Sequence, residues 1–523
     1  MEQKRSTLVK SAVTVGVFTL FSRVVGFVRD MVIATTLGTG PIADAFFVAF
    51  RLPNLFRSLF AEGAFNAAFV PLFAGKLSAE GIDSAKRFAE QVLIVMLLVL
   101  VTFTVFMQIA MPWAMYLIAP GFTDNPEQFN MAVELSRITF PYLLFITLVS
   151  LLSGVLNSIE RFSAAAMAPI FLNLSMICTA FWLNAYTETP AEALAWGVAV
   201  GGVTQLIWMV IACIRADVFL YFRKPALTPD VKKLLKRMIP GIMGAGVTQI
   251  NLLIGTLVAT LIPSAVSLLY YADRITQFPL AIIGTAMGTA MLPSLSKAFR
   301  EDRIHDAIHT QNRAMEFSLF FTLPAAVALM VSGLPIVTVL FNHGAFTTAD
   351  AYGAYQALFA YTLGLPAFVL AKVLLPGFFA HGNTKTPVKI AVSCLVINTV
   401  LNIALVYPFH HTGIAIGTSI AAWVNALLLW RGLRQRSYFA SDAELRFRTV
   451  RIIISSILMG CILYACQTVL NPYFGGESRT ERVGALLILV SAGFGTYIVS
   501  IFGLKVYHLS ELKSMLTRRA KKA

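Results

Sequence analysis

Fourteen apolar segments divide this chain from end to end, each near the roughly 20 residues that a helix needs to span a bilayer. They cover about 11–35, 42–70, 88–116, 131–156, 163–185, 193–214, 238–261, 266–292, 314–341, 353–380, 388–406, 413–430, 452–471 and 483–504. Runs of this length have one economical fold. Inside a bilayer every backbone N–H and C=O must find its partner within the segment, and a helix does this. Membrane β-barrels alternate polar and apolar residues and lack such runs. The 523 residues are 57% hydrophobic and only 13% charged, against roughly 25% charged in soluble chains. The sequence therefore predicts an all-α polytopic membrane protein with 14 transmembrane helices. The first segment carries Arg23 and Arg29 and lacks an A-x-A cleavage site, so it is expected to be retained.

The net charge of +15 raises the question of nucleic acid, and its distribution answers it. With the N-terminus inside, the inner connections and both termini hold 32 Lys and Arg, while the outer loops hold two, Arg479 and Arg482. Such asymmetry is the positive-inside signal, placing both ends in the cytoplasm. Nucleic acid is not implied; the surplus orients the chain and attracts anionic membrane lipids. The five cysteines lie in apolar runs without metal or redox spacing and read as small core residues.

A weak internal repeat recurs after about 220–226 residues. AFVPLFAGKL (68–77) resembles AMLPSLSKAF (290–299), and LAWGVAVGGVTQLIW (194–208) resembles IAIGTSIAAWVNALL (414–428). Six spans per repeat is an even number, so the repeats are parallel, and transporters of this kind bind substrate between their halves. The predicted organisation is an N-terminal lobe (1–214), a cytoplasmic amphipathic linker (215–237), a C-terminal lobe (238–434), and two further spans with a basic cytoplasmic tail (435–523). LTPDVKKLLKRM in the linker reads as a helix on the membrane surface, capped by Thr228 or Asp230. His305 and His309 have i,i+4 spacing without a companion carboxylate motif, which fits a solvated helix face better than a metal site. Gly241, Gly244 and Gly246, and the pairs Gly197–Gly201 and Gly284–Gly288, suit close helix packing or a flexible point. Pro53 and Pro240 are expected to kink their spans and free backbone carbonyls.

Apart from Lys389 at the inner edge of its span, counted with the inner connections, seven basic residues fall inside spans: Arg23, Arg29, Arg51, Arg57, Arg137, Arg274 and Lys372. Intramembrane charge is costly and by default marks function. Acids share these spans at Asp30, Asp44, Glu62, Glu134 and Asp273, so salt bridges holding the bundle are one reading. The other is an anionic substrate. Arginine stays charged when desolvated, and its planar fork matches phosphate oxygens. A cation exporter would need an acidic or aromatic cavity instead. No nucleophile elbow, acid–base pair or nucleotide-binding motif accompanies the cations, so the chain is not read as an enzyme, and no cofactor is implied. Transport would draw on membrane potential or an ion gradient.

FSRVVGFVRD (21–30), DAFFVAFRLPNLFRSLFAEGAFNAAFVP (44–71), YYADRITQFP (270–279), LPSLS (292–296) and NTKTPVKIA (383–391) closely resemble the MurJ/MviN family of lipid II flippases. This family lies within the multidrug/oligosaccharidyl-lipid/polysaccharide exporter superfamily, and the resemblance extends over essentially the whole chain. It implies two six-helix lobes around a central cavity, with two C-terminal helices bordering a lipid-facing groove. It also implies flipping of the undecaprenyl-diphosphate-linked peptidoglycan precursor across a bacterial inner membrane by alternating access, with the cell-wall synthesis machinery as a possible partner. The family's cavity arginines map onto Arg23, Arg29, Arg57 and Arg274, and its acidic position onto Asp44. Asp30, Arg51, Pro53, Glu62, Asp273 and Lys372 are supporting or gating candidates. Arg51 stands where some members have Lys, and Gln277 where some have an acid. A drug exporter of the same superfamily, or a flippase for another polyprenyl-diphosphate glycan, is the alternative.

Overall fold

The structure, a computed structural model, describes residues 2–59, 65–476 and 478–507. Their regular elements are helices: α1 (Glu2–Leu37), α2 (Pro41–Arg57), α3 (Asn66–Glu80), α4 (Ile82–Ile118), α5 (Pro126–Thr139), α6 (Tyr142–Ser158), α7 (Ser163–Trp182), α8 (Pro190–Ile214), α9 (Pro229–Thr260), α10 (Ala265–Arg300), α11 (Ile304–Phe341), α12 (Thr348–Ala380), α13 (Lys385–Gln435), α14 (Ala443–Phe474) and α15 (Arg479–Gly503). Among the described residues, nine helices are long and apolar enough to cross a membrane. A tenth follows if the bent pair Pro229–Ile242 and Gly246–Thr260 is one span. The chain is thus a multi-pass helical membrane protein.

Helices and spans do not correspond one to one. α13 runs for 51 residues, roughly 76 Å if it were straight, well beyond a hydrocarbon core of about 30 Å. It is two helices joined across a kink at His410, whose φ of 50° and ψ of −138° lie outside the helical region, and the kink falls between the spans predicted at 388–406 and 413–430. Conversely, the span predicted at 131–156 is divided between α5 and α6 around Pro141. Starts are set locally: Pro occupies the first turn of α2, α5, α8 and α9. Asn125 and Thr189 cap α5 and α8, a Thr347–Asp350 capping box opens α12, and Asp442 caps α14.

The chain forms two compact units. The first comprises 1–267 with 343–346, and the second 268–342 with 347–523. In the first, α7 packs on α8 and α1, and α2 on α5. Its core includes a run of phenylalanine rings, with Phe69 stacked on Phe65 at 5.0 Å and on Phe88 at 5.7 Å. In the second, α12 packs on α13 and α11, and α14 on α11 and α15. Large apolar residues on outer faces, such as Ile109 and Leu117 of α4 or Val469 of α14, are exposed because their solvent is lipid.

Proline supplies inter-helix contacts. A proline at position i cannot donate to the carbonyl at i−4, leaving that carbonyl open. Pro53 leaves the carbonyl of Ala49, and the Thr139 hydroxyl of α5 donates to it at 3.0 Å. Pro112 leaves that of Gln108, which accepts Arg137 Nε at 3.1 Å. Pro324 leaves that of Phe320, which accepts the Tyr497 hydroxyl of α15 at 2.5 Å. Each is a hydrogen bond between two helices at a place where one helix alone would leave a polar group unsatisfied.

The glycines divide. A Cβ on Gly197 would lie 2.2 Å from Thr179 Oγ1 and 2.9 Å from Met176 Cα, so this pair fits close packing of α8 on α7. Gly244 and Gly246 have nothing within 4 Å of such a Cβ, and α9 bends by 53° between Ile242 and Gly246. Gly244 and Gly246 therefore sit at a bend rather than in a packing face. The side chains around Gly284–Gly288 lie outside the described set.

The linker is tied down by ion pairs. Arg223 pairs with buried Glu90 of α4, whose other oxygen accepts the Tyr221 N–H at 3.1 Å. Asp230 pairs with Lys76 at 2.9 Å, and its hydrogen bond raises the Lys76 ammonium above its ordinary pKa. Thr228 sits at the N-cap of α9 but donates its hydroxyl to Gln91 at 3.0 Å. The predicted surface helix is thus the first part of α9 itself. In the second unit, buried Glu316 of α11 accepts Arg448 Nη1 of α14 at 2.7 Å and pairs with Arg313, and the Tyr507 hydroxyl donates to it.

Candidate functional site

α1 and α2 carry the cations of the first unit. A helix satisfies its own backbone at membrane depth, so the cost of holding an arginine there falls on the side chain. Arg29 is 8% exposed and Asp30 3%. Although adjacent in sequence, they pair: Asp30 Oδ1 accepts Nη2 at 2.6 Å and Nε at 3.1 Å. Arg29 Nη1 donates to Asn173 Oδ1 of α7 at 2.9 Å, and the Phe50 ring lies 5.7 Å from its guanidinium carbon. Asn173 Nδ2 then donates to the Ser22 carbonyl of α1 at 3.3 Å. Gly26 leaves room for this, since a Cβ there would stand 3.2 Å from the same nitrogen. Arg29 thus has its counter-charge beside it on the same helix, not the bundle-holding salt bridge considered from the sequence, and its tie to α7 is the neutral Asn173.

Arg23, two turns earlier on α1, is exposed and makes no hydrogen bond or ion pair to a described residue. Arg51 of α2 is half-buried and donates to the Thr256 hydroxyl of α9. Arg57 is half-buried at the C-terminal end of α2, where a cation also meets the negative end of the helix dipole. One residue on, the Ser58 hydroxyl accepts Gln249 Nε2 of α9 at 2.8 Å. Asp44 is 1% exposed, and its Oδ1 accepts the Ser267 N–H at 2.8 Å. Pro53 is buried inside α2 without ending it. Glu62 lies outside the described residues.

In the second unit, Arg274 of α10 lies over the Tyr270 ring, 4.5 Å from its centroid. Stacking on an aromatic face stabilises a guanidinium while leaving its edge able to donate. Asp273 accepts Gln277 Nε2 at 3.3 Å, so an amide partner occupies the position where an acid had been considered. Lys372 is half-buried in α12. Arg137 is separate from these: exposed on α5, it is committed to the Gln108 backbone of α4. His305 and His309 are exposed on the first turns of α11, as expected of a solvated face. Among the described residues no cluster of His, Cys, Asp or Glu suits a metal ion, and the five cysteines are free thiols.

The structure thus joins Arg29 with Asp30, and Arg51 with α9, and places Arg23 and Arg57 on the same two helices. Chemically these are fork-shaped donors fixed in apolar helices, suited to binding phosphate oxygens and to no bond-breaking step. The sequence did not single out Asn173, Thr256 or Thr139. The available signal was a lone polar residue in an otherwise apolar span, which is weak when Ser and Thr also serve their own helix backbone.

A family model described as Lipid II flippase MurJ matches residues 33–482. A relative from Rhizobium tropici carrying that family name is 43% identical over 501 residues, covering 95% of this chain and 94% of its own. A Burkholderia cenocepacia protein, described as Lipid II flippase MurJ, is 36% identical and covers 88% of this chain and 90% of its own. A solved structure described as lipid II flippase MurJ in an inward closed conformation superposes with a TM-score of 0.79 at 25% identity, covering 94% of this chain and 99% of that one.

Proposed function

This chain belongs to the lipid II flippase MurJ family, and from that premise we propose that it carries lipid II from the cytoplasmic to the outer leaflet of a bacterial inner membrane. It is a transporter rather than an enzyme. The observation that carries the reading is the likeness to relatives so described over nearly the full length of both chains. The fourteen-span arrangement with both ends in the cytoplasm is the topology proposed for it. Its support is the Lys/Arg asymmetry, the His410 break that lets α13 supply two spans, and the division of the chain into two units.

Arg23, Arg29, Arg57 and Arg274 are the proposed diphosphate ligands. A diphosphate in a low-dielectric cavity needs fixed cationic donors, and these side chains lie in apolar helices with nothing for chemistry around them. Asp30 and Asn173 hold Arg29. Asp44, Arg51, Pro53, Asp273 and Lys372, with Glu62, support or gate the path. Alternating access, driven by membrane potential or an ion gradient, moves the headgroup while the polyprenyl chain stays in lipid. Cell-wall synthesis enzymes are the proposed consumers of the flipped precursor.

The test is genetic and biochemical. Arg23→Ala, Arg57→Ala and Arg274→Ala should each fail to complement a flippase-depleted strain at normal membrane levels. In cells carrying them, lipid II headgroups should stay inaccessible from outside. Full complementation by all three would remove these residues from the site.

A further inference from the structure

A pocket of about 320 Å³ lies in the first unit, with no arginine in its lining. Val95, Val99 and Phe103 of α4 line one side, and Val231, Leu234 and Met238 of α9 the other. Ligand pockets span roughly 300–1,000 Å³ and usually place a few polar groups to orient their ligand. This one has a single polar lining residue, Thr147, and its hydroxyl already donates to the Leu143 carbonyl at 2.7 Å. The pocket therefore suits a plain hydrocarbon chain whose polar end stays outside. Its lining includes Val99, 60% exposed, and Leu235, 45% exposed, and Val99 belongs to the same exposed apolar surface of α4 as Leu98 and Phe106. That surface meets lipid in a membrane helix.

The wall on the α9 side has a second face. Positions 231, 234, 235 and 238 point one way, and Lys232, Lys233, Lys236 and Arg237 on the same turns are exposed around the remainder. Lys232 and Arg237 flank the apolar stripe on its two sides, within reach of a group at the mouth because long basic side chains extend along apolar surface to a polar boundary. The ties from Asp230 to Lys76 and from Arg223 to Glu90 hold this helix start against its own unit. We propose that this pocket binds one acyl chain of an anionic phospholipid of the cytoplasmic leaflet, with the lipid phosphate held by Lys232, Lys236 and Arg237. The pocket ends at Ile242, where α9 bends, so the bound lipid lies against the hinge.

The full-length protein in nanodiscs of equal phosphatidylglycerol and phosphatidylcholine with identical chains, released into native mass spectrometry, tests this. One phosphatidylglycerol should be retained in preference to phosphatidylcholine. Val95→Trp, which fills the pocket, should abolish retention. Lys232→Gln, Lys236→Gln and Arg237→Gln, which alter only exposed side chains and leave the packing intact, should each weaken it roughly fivefold. Equal retention of both lipids, or retention unchanged in the glutamine variants, would overturn the proposal. So would displacement of the bound lipid by undecaprenyl phosphate at equal concentration, which would assign the pocket to the carried polyprenyl tail.

Discussion

At Ala49, the carbonyl that Pro53 leaves without its helical donor accepts the hydroxyl of Thr139, which is wholly buried. Thr139→Val keeps the shape and removes the donor, so it should lower stability by about 1–3 kcal/mol, the cost of a buried acceptor left open. Thermal unfolding in detergent measures this, and Thr139→Ser should recover most of the loss. Asn173 matters in the same way: Asn173→Leu should release Arg29 from α7 and reduce complementation while Asp30 still balances the charge. If Asn173→Leu complements fully, Asn173 is not needed to position Arg29. At this scale the sequence was only partly legible. The cations stood out because each is expensive in an apolar span. Their neutral partners did not, since a Thr or Asn in a membrane helix is cheap, and its contact is decided by which helix packs beside it.

α13 and α9 show how far apolar length reaches. The gap between the spans at 388–406 and 413–430 located the break at His410, whereas the bend of α9 before Gly246 left no mark in hydropathy and was signalled by Pro240 and the glycines. The glycines give an element-level test. Gly244→Ala meets open space, so it should leave protein levels unchanged, yet it favours straight helix by about 1 kcal/mol and should shift the α9 bend. Spin-label distances across residues 235 and 255 would record the change. Gly197→Ala should instead push against Thr179 and Met176 and lower the unfolding temperature. Identical behaviour of the two variants would refute the division between packing and hinge glycines. Glu316 is a comparable node for α11 and α14. Glu316→Ala would leave Arg313 on Asp442 and Glu444 and Arg448 on Glu444, so the loss is that of the buried acceptor alone, about 1–3 kcal/mol, seen as earlier proteolytic release of the segment after 443.

For the whole molecule, the alternation of basic and neutral connections carried the most information, because it depends on counting charges rather than on contacts. It predicts that a single cysteine placed at 305 is labelled only from the cytoplasm and one placed at 479 only from outside; the reverse pattern would invert the topology. Multi-pass helical architecture and family were legible from apolar length and motif, whereas the two-unit division and its ties required coordinates. The proline-linked carbonyls also bear on biogenesis. Each acceptor is synthesised before its donor. Arg137 follows Gln108 by 29 residues, Thr139 follows Ala49 by 90, and Tyr497 follows Phe320 by 177. At about 5–20 residues per second, these gaps last from roughly 1.5 to 6 s for the first to roughly 9 to 35 s for the last. Of the three, the Phe320 carbonyl waits longest, and α15, the last of the described helices, closes it, so that α15 acts as a late seal on α11.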